Sequence, residues 1–261
     1  MHKILSLIRE AKANEIKILQ ESRQEIMALA KKAAKPISFF KSLQSKDSIS
    51  LVAELKQASP SRGILRKDFN HLSILQLYEK GGASAISVVT EEEFFLGKPR
   101  YLKEVKERTK LPVLRKDFIL DEIQIYQSRA LGADAVLLIL RMLAPEKFQS
   151  LYRLARDLGM DVLVEVHTMR ELNRAIAAGV NIIGINNRNL DTFTLDLEVT
   201  AKIAPFVPDN VLVISESGIN SAKDILWLKG LGIDAVLVGE ALMESNDIEA
   251  KLKEFHEASK S

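Results

Sequence analysis

The feature that most constrains the fold of this chain is a series of eight short apolar runs, separated by longer segments with charged residues at helical spacing. The runs occupy residues 51–56, 85–89, 112–116, 135–140, 161–166, 182–186, 211–215 and 235–238. Such runs are typical of strands that are buried on both faces of a parallel sheet. The helical patterns include residues 72–80, 122–130, 145–158, 170–178 and 222–228. The sequence therefore predicts alternating strands and helices from residue 51 onwards.

Glycines mark the predicted joins between a helix and the next strand, at Gly82, Gly132, Gly159, Gly179 and Gly232. Glycine readily adopts the left-handed conformation that ends a helix. Eight strand–helix units predict an α/β fold, a closed (β/α)8 TIM barrel. A doubly wound open sheet has the same alternation, but its dinucleotide-binding form lacks support because no Gly-x-Gly-x-x-Gly motif is present.

The segment before the first strand predicts a helical extension. Apolar residues recur at mostly helical spacing among charges over residues 2–34, and Pro36 is expected to end this amphipathic arm. No linker or low-complexity tract divides the chain, so we expect a single domain over residues 1–261, with residues 1–50 as its N-terminal helical extension. No apolar leader or membrane-length run occurs, so we expect a cytoplasmic chain that begins at Met1.

Charge and composition argue against several classes of function. Lys and Arg number 37 against 35 Asp and Glu, a net charge of +2, so we expect no nucleic-acid or membrane partner. Cysteine is absent, which excludes disulfides and thiolate metal sites and fits a reducing compartment. The four histidines lie far apart in sequence without metal-ligand spacing, so we expect no metal site.

Ionisable residues stand at the ends of the predicted strands, where the active site of a barrel of this type is built. Two lysines, three glutamates and an asparagine are involved: Glu54, Lys56, Lys116, Glu165, Asn186 and Glu216. Alternation along a strand places Glu54 and Lys56 on the same side. Any one of these residues could belong to an ion pair that only fills the top of the barrel. As a set they favour general acid–base chemistry.

Small residues after the last two strands indicate an anion site. Ser217 and Gly218 follow the seventh strand, and Gly239 and Glu240 follow the eighth. Small residues let backbone N–H groups approach a phosphate, and a short helix after the eighth strand can direct its positive end at the anion. Tight turns use glycine equally well, so plain turns are the alternative interpretation.

Six segments at the predicted strand ends are distinctive: Val-Ala-Glu-Leu-Lys-Gln-Ala-Ser-Pro-Ser at 52–61, Leu-Arg-Lys-Asp-Phe at 114–118, Leu-Val-Glu-Val-His at 163–167, Gly-Ile-Asn-Asn-Arg-Asn-Leu at 184–190, Ser-Glu-Ser-Gly-Ile at 215–219 and Val-Gly-Glu-Ala-Leu-Met at 238–243. They resemble the signature motifs of the indole-3-glycerol phosphate synthase family and stand in that family's order along the chain. Asn189 departs from the aspartate of many members. The resemblance covers nearly the whole chain, including the helical extension.

The resemblance implies a reaction and a set of roles. The substrate would be 1-(2-carboxyphenylamino)-1-deoxyribulose 5-phosphate, and the products indole-3-glycerol phosphate, carbon dioxide and water, with no cofactor. Lys116 would be the acid for ring closure and Glu165 a general base near the anilino nitrogen. Lys56 would contact an anion and serve as a second acid, with Glu54 orienting it and Glu216 holding the polar network.

The remaining site residues are expected to bind substrate. Asn186 and Arg188 would position it, and the first loop, with Ser59, would act as a lid. Phe95, Phe118 and Leu137 would supply an apolar wall, although a Phe at a barrel mouth commonly serves packing alone. Backbone N–H groups of Ser217, Gly218, Gly239 and Glu240 would bind the phosphate, and the carboxylate of Glu240 should point away because it would repel that anion.

Three alternatives stay open at this point. The chain could be another phosphosugar barrel enzyme, either an isomerase or a Schiff-base aldolase with Lys116 as the nucleophile. It could also be an inactive barrel that serves as a scaffold, although such a chain would normally have lost some strand-end ionisable residues. The partner we expect is a small phosphorylated molecule, with the chain a monomer or weak homo-oligomer.

Overall fold

A computed structural model describes residues 3–45 and 47–260. Its eight parallel strands form a closed barrel: β1 Ser50–Leu55, β2 Ala85–Val89, β3 Val113–Lys116, β4 Ala135–Ile139, β5 Asp161–Val166, β6 Ile182–Asn186, β7 Leu212–Glu216 and β8 Ala235–Val238. The barrel closes because β1 pairs with both β2 and β8, with Val52 opposite Ala85 and Ala53 opposite Val238. The prediction of a (β/α)8 barrel is confirmed.

Twelve α-helices lie in the described part of the chain. They are α1 Lys3–Glu21, α2 Arg23–Lys32, α3 Phe39–Leu43, α4 His71–Lys80, α5 Pro99–Lys106, α6 Glu122–Ala130, α7 Pro145–Asp157, α8 Met169–Ala177, α9 Glu198–Ile203, α10 Ala222–Gly230, α11 Glu240–Met243 and α12 Ile248–Lys260. A two-stranded hairpin, Ala58–Ser59 with Gly63–Ile64, lies in the loop after β1. None of these helices is long and apolar enough to cross a membrane.

Alternation along each strand produces two apolar cores. In β1, Leu51, Ala53 and Leu55 pack outwards against the surrounding helices, whereas Val52 packs inside the barrel. Glu54 shares the inward side with Val52, one layer nearer the carboxyl end of the strand. The interior is therefore apolar at depth and becomes ionisable at its carboxyl end.

The N-terminal extension contacts the barrel at both ends. Leu5 and Ile8 of α1 join the interior core at the mouth, and α2 packs along α6. Phe39 of α3 packs into the interior core, and the backbone N–H of Phe40 donates to Asp161 at the start of β5 over 2.9 Å. The N-terminal extension thus runs from the carboxyl ends of the strands, at α1, to their amino ends, at α3, before β1 begins.

The predicted helical arm over residues 2–34 is helical over most of its length, but the prediction that Pro36 ends it was wrong. The helix is interrupted at Ser22, and the second helix ends at Lys32, with Ala33 already extended, so Pro36 is not what ends it. Residues 1, 2 and 46 of the expected extension lie outside the described residues. The glycines at the predicted helix-to-strand joins all have positive φ, from 69° to 90°, which confirms their assignment as helix stops.

Candidate active site

One large cavity opens at the carboxyl ends of the strands and measures about 1060 Å³ including its open mouth. The structure brings all the sequence-predicted site residues to its lining: Glu54, Lys56, Ser59, Phe95, Lys116, Phe118, Leu137, Glu165, Asn186, Arg188, Glu216, Ser217, Gly218, Gly239 and Glu240. They come from every barrel strand or the loop that follows it. Closure of the barrel therefore brings residues at the ends of different strands close together in space.

Lys116 lies at the centre of an inner ionisable group. Its Nζ is 3.4 Å from Oε2 of Glu165 on β5 and 3.5 Å from Oε2 of Glu216 on β7. Burial alone would lower the pKa of Lys116, but Glu165, Glu216 and Glu54 outweigh it and raise the pKa above its ordinary value. The side chain therefore carries a proton at neutral pH.

Glu216 is the carboxyl group of this inner group that resists ionisation. Burial raises its pKa, Lys116 opposes that rise, and the neighbouring Glu165 and Glu54 add to it, so the pKa lies well above the usual carboxyl range. A Cβ at position 184 on β6 would overlap Oε1 of Glu216. Position 184 must therefore be glycine to leave room for the Glu216 carboxyl group.

A second, outer ionisable group consists of Glu54, Lys56, Glu240 and Arg188. Lys56 Nζ lies 3.1 Å from Oε1 of Glu54, and the Ser87 hydroxyl donates to the other oxygen over 3.2 Å. Burial would raise the pKa of Glu54, but Lys56 and Lys116 outweigh it and lower the pKa. A Cβ at Gly239 would lie 2.6 Å from Oε1 of Glu54. The Glu54 carboxylate is therefore ionised. It pairs with Lys56 on one side and packs closely against Gly239 on the other.

The prediction that the Glu240 side chain points away from the phosphate end was wrong. Its carboxylate faces the cavity, where Oε1 lies 3.5 Å from Lys56 Nζ and Oε2 lies 2.7 Å from Arg188 Nη2. The sequence argument considered repulsion of phosphate alone. Two cations, one directly after β1 and one in the loop after β6, stabilise the carboxylate in this position, and neither is near Glu240 in sequence.

Two residues of the predicted phosphate end have a left-handed backbone. Ser217 and Gly218 both have positive φ, 67° and 81°. Within the described residues, the backbone N–H groups of Gly218, Ile219 and Glu240 have no protein acceptor. Successive N–H groups in left-handed turn conformations form a concave surface that suits an anion. The backbone here is consistent with an anion site of that kind.

Arg188 and the first loop meet across the mouth. Arg188 Nη1 donates to the Ser61 hydroxyl over 3.1 Å, and the Asn186 side-chain oxygen accepts the Arg188 backbone N–H over 2.9 Å. Ser59, in the hairpin of the first loop, is buried beside Ser61. The loop after β6 is thereby connected to the loop after β1.

An apolar wall faces the ionisable groups. The rings of Phe95 and Phe118 lie 6.0 Å apart between centroids, and Leu137 of β4 with Ile8 of α1 extends the same lining. Glu91 accepts the backbone N–H of Phe95 over 3.0 Å. Such a wall suits an aromatic ring.

Two groups of functional interest escaped the sequence prediction. Lys12 of α1 lies buried against Asp117, the residue after Lys116, over 2.7 Å. His167, two residues after Glu165, has its Nε2 3.4 Å from Oε1 of Glu165. Alternation along β5 could have identified His167, because residues 165 and 167 face the same side. Nothing in the sequence pairs Lys12 with Asp117.

Comparisons with known proteins agree with this geometry. A family model described as indole-3-glycerol phosphate synthase matches residues 5–255. The indole-3-glycerol phosphate synthase of Desulforamulus reducens is 46% identical over 255 residues, covering 97% of this chain and 96% of that protein. The one from Dehalococcoides mccartyi strain CBDB1 is 53% identical over 210 residues, covering 79% and 81%.

A solved structure supports the fold alone. The 3-hexulose-6-phosphate synthase of Salmonella typhimurium superimposes with a TM-score of 0.66 at 18% identity, covering 80% of this chain and 98% of that one. At this level of identity the similarity establishes a shared barrel and carries no information on substrate.

Proposed function

The chain belongs to the indole-3-glycerol phosphate synthase family, and on that premise we propose how its residues share the chemistry. The reaction is the ring closure, decarboxylation and dehydration of 1-(2-carboxyphenylamino)-1-deoxyribulose 5-phosphate to indole-3-glycerol phosphate in tryptophan biosynthesis. The chain is accordingly a carboxy-lyase. The observation that carries the assignment of roles is the Lys116 ammonium group between the carboxyl groups of Glu165 and Glu216.

Lys116 is proposed as the acid for ring closure. The ring carbon that bears the carboxylate attacks the sugar ketone at C2, and the ketone oxygen gains negative charge as the new C–C bond forms. A protonated amine beside that oxygen stabilises the charge and donates a proton. The raised pKa of Lys116 ensures that the proton is present at neutral pH.

Glu165 is proposed as the general base near the anilino nitrogen, for the steps that follow. Loss of carbon dioxide returns the C–C bonding electrons to the ring. Dehydration then removes a proton from the former C1 and the hydroxyl group from the former C2, which leaves with a proton as water. Glu165 accepts the first of these protons, and Lys56 is the proposed donor to the departing hydroxyl group, with Glu54 orienting it at 3.1 Å.

The phosphate end is proposed at Ser217, Gly218, Gly239 and Glu240, through backbone N–H groups. Lys56 and Arg188 lie at the same end and can neutralise an anion that displaces the Glu240 carboxylate from them. Asn186 and Arg188 position the substrate between the two ends of the cavity. Phe95, Phe118 and Leu137 contact its aromatic ring, opposite the ionisable groups.

The charge state of Lys116 argues against the Schiff-base alternative. A lysine nucleophile must lose its proton, which requires a lowered pKa. Three carboxyl groups raise the pKa of Lys116 instead. Borohydride treatment in the presence of substrate should therefore leave no lysine adduct, whereas a trapped adduct would favour the aldolase.

A fluorescence assay with the synthetic carboxyphenylamino substrate tests the activity directly. The purified chain should produce the indole fluorescence of the product and release one carbon dioxide per turnover. The dephosphorylated substrate should lose most of kcat/KM, because remote anion binding holds the reacting carbons together. Equal kcat/KM for the two substrates would contradict the proposed phosphate end.

We further propose that residues 1–261 act as one domain, as a cytoplasmic monomer or weak homo-oligomer. A net charge of +2 supports a small phosphorylated molecule as the partner, without nucleic acid or a membrane surface. Contacts of α1, α2 and α3 with the barrel support the single domain. Sedimentation analysis of the intact chain tests the oligomeric state.

A further inference from the structure

A buried histidine lies behind the proposed general base. His167 follows β5, and its side chain is only 7% exposed. Its Nδ1 lies 3.3 Å from Oε2 of Glu171 on α8, and its Nε2 lies 3.4 Å from Oε1 of Glu165. The same Glu171 oxygen accepts the His167 backbone N–H over 2.6 Å. The imidazole therefore lies between two carboxylates, with one side anchored.

The position of Glu171 determines where the imidazole protons lie. A carboxylate accepts hydrogen bonds, so the Nδ1 that faces Glu171 carries hydrogen. In the neutral imidazole, Nε2 would then present a lone pair towards Glu165. Nε2 is buried and has no hydrogen-bond partner among the described residues. A lone pair that faces a carboxylate in a buried site is unfavourable, and a proton on Nε2 removes the conflict.

We propose that His167 is the positioning residue of the general base, holding Glu165 through an ion pair over 3.4 Å while Glu171 fixes the imidazole. The proposal rests on the role assigned to Glu165 above. As the imidazolium, His167 stabilises the ionised Glu165 before proton transfer and orients its second oxygen towards the cavity. That second oxygen, Oε2, is the one that lies near Lys116.

The charges around His167 favour the imidazolium. Glu165 on β5, Glu171 on α8 and Glu216 on β7 all act on it, with Lys116 beyond Glu165 and Arg141 beyond Glu171. Burial lowers the pKa of His167, but the three carboxyl groups outweigh burial and raise the pKa above its ordinary value. The carboxyl groups around His167 therefore favour the charged form of its imidazole.

The test compares His167→Gln and His167→Leu with wild type over the full pH–kcat profile. Both substitutions remove the positive charge, and Gln keeps a donor on the side of Glu165. We expect kcat to fall about tenfold at neutral pH in both, with KM little changed and the acidic limb of the profile moved up by about one pH unit. The matched control is His71→Gln, since His71 also pairs with a glutamate, Glu104, at 2.6 Å but lies outside the cavity. Its profile should match that of wild type.

Comparison of Glu165→Gln, His167→Gln and the double variant separates this inference from the function on which it rests. If Glu165→Gln keeps the wild-type kcat, the base assignment itself is wrong. If Glu165→Gln is inactive but His167→Gln has the wild-type profile, only the inference about His167 is overturned. A loss that is equal at every pH, or that adds fully to the loss from Glu165→Gln, would indicate a packing role and also overturn it.

Titration by NMR of the intact enzyme provides a readout that does not depend on activity. The His167 imidazole, identified by its absence from the spectrum of His167→Gln, should titrate at lower pH in Glu165→Gln than in wild type, because one facing carboxylate has been neutralised. An unchanged midpoint would contradict the ion pair between His167 and Glu165.

Discussion

Lys12 Nζ lies 2.7 Å from Oδ1 of Asp117, and both side chains are buried, so a cation of the N-terminal helix meets the carboxylate next to Lys116. Asp117 also accepts the Phe118 backbone N–H over 2.8 Å and pairs with Arg115 over 3.0 Å. This arrangement places α1 in direct contact with the strand end that carries the proposed acid. Several consequences of that contact can be measured.

Replacement of Lys12 by Met should destabilise the protein. Removal of one partner from a buried ion pair costs about 3 kcal/mol or more, because the other charge is left buried, although Arg115 still pairs with Asp117. Urea unfolding of Lys12→Met measures the loss. Lys17→Met, an exposed lysine of the same helix, is the matched control and should unfold like wild type. Equal stability of the two variants would contradict this account.

Deletion of residues 1–34 should weaken both the fold and substrate binding. It removes Leu5 and Ile8 from the cavity lining, and it removes Lys12, one of the two cations that pair with Asp117. We expect a lower Tm and a higher KM in the steady-state assay. Unchanged values of both would exclude a contribution of the extension to the site.

Acid should destabilise the protein through Asp117. Burial would raise the pKa of this carboxyl group, but Lys12 and Arg115 outweigh it and hold the pKa below the ordinary value. A carboxylate with a lowered folded-state pKa stabilises the fold above its unfolded pKa, and that stabilisation is lost as pH falls. The free energy of unfolding should therefore decrease below about pH 4. Lys12→Met should show a shallower decrease, and a parallel one would argue against the pair as the cause.

Glu240→Gln should improve anion binding. The wild-type carboxylate occupies Lys56 and Arg188, so an incoming phosphate must displace it. The amide removes that competing charge while keeping the shape. We expect a severalfold lower inhibition constant for inorganic phosphate at neutral pH. A weaker affinity would mean that Glu240 assists binding instead.

Lys116→Ala and Glu165→Gln should each lose on the order of 10²-fold or more in kcat while remaining folded. KM should change little in Glu165→Gln because the amide still fills the space. Lys116→Ala should stop before carbon dioxide leaves, which a single-turnover experiment with labelled carboxylate can measure. Release at the wild-type rate would move the ring-closing role to Lys56.

Gly184→Ala should lower activity by displacing the Glu216 carboxyl group. A methyl group there overlaps the Glu216 carboxyl oxygen, so Glu216 must move away from Lys116. We expect kcat to fall with little loss of secondary structure. Gly230→Ala is the control, because a Cβ at Gly230 meets no atom within 4 Å. Equal activity of the two variants would show that the position of Glu216 is unimportant.

Local sequence pattern predicted the barrel and the positions at its rim. The predicted strands match the observed ones to within one residue at every end. Each strand is an apolar run buried on both faces, and polar residues or glycine mark where the run begins and ends. Glycines at the joins were found because the backbone conformation required there is local. Alternation placed Glu54 and Lys56 on one side of the first strand, and the structure shows that both line the interior cavity.

Contacts between distant segments could not be predicted in this way. The orientation of Glu240 depends on Lys56 and Arg188, which lie 184 and 52 positions away in sequence. The pairing of Lys12 with Asp117 depends on how α1 crosses the mouth. The break at Ser22 between α1 and α2 likewise reflects the change of surface from the mouth to α6. These features follow from tertiary packing, which overrides local preference.

The closure of the barrel by β1 and β8 also sets the order in which the molecule is completed during synthesis. Residues 50–53 pair with residues 235–238, so the first strand waits for the last one to leave the ribosome. Until then β1 has a free edge, and contacts of such long sequence separation are slow to form. Lys56 cannot meet Glu240 before that moment. A nascent chain that stops short of β8 therefore lacks the pairing of Lys56 with Glu240, however well its earlier units have folded.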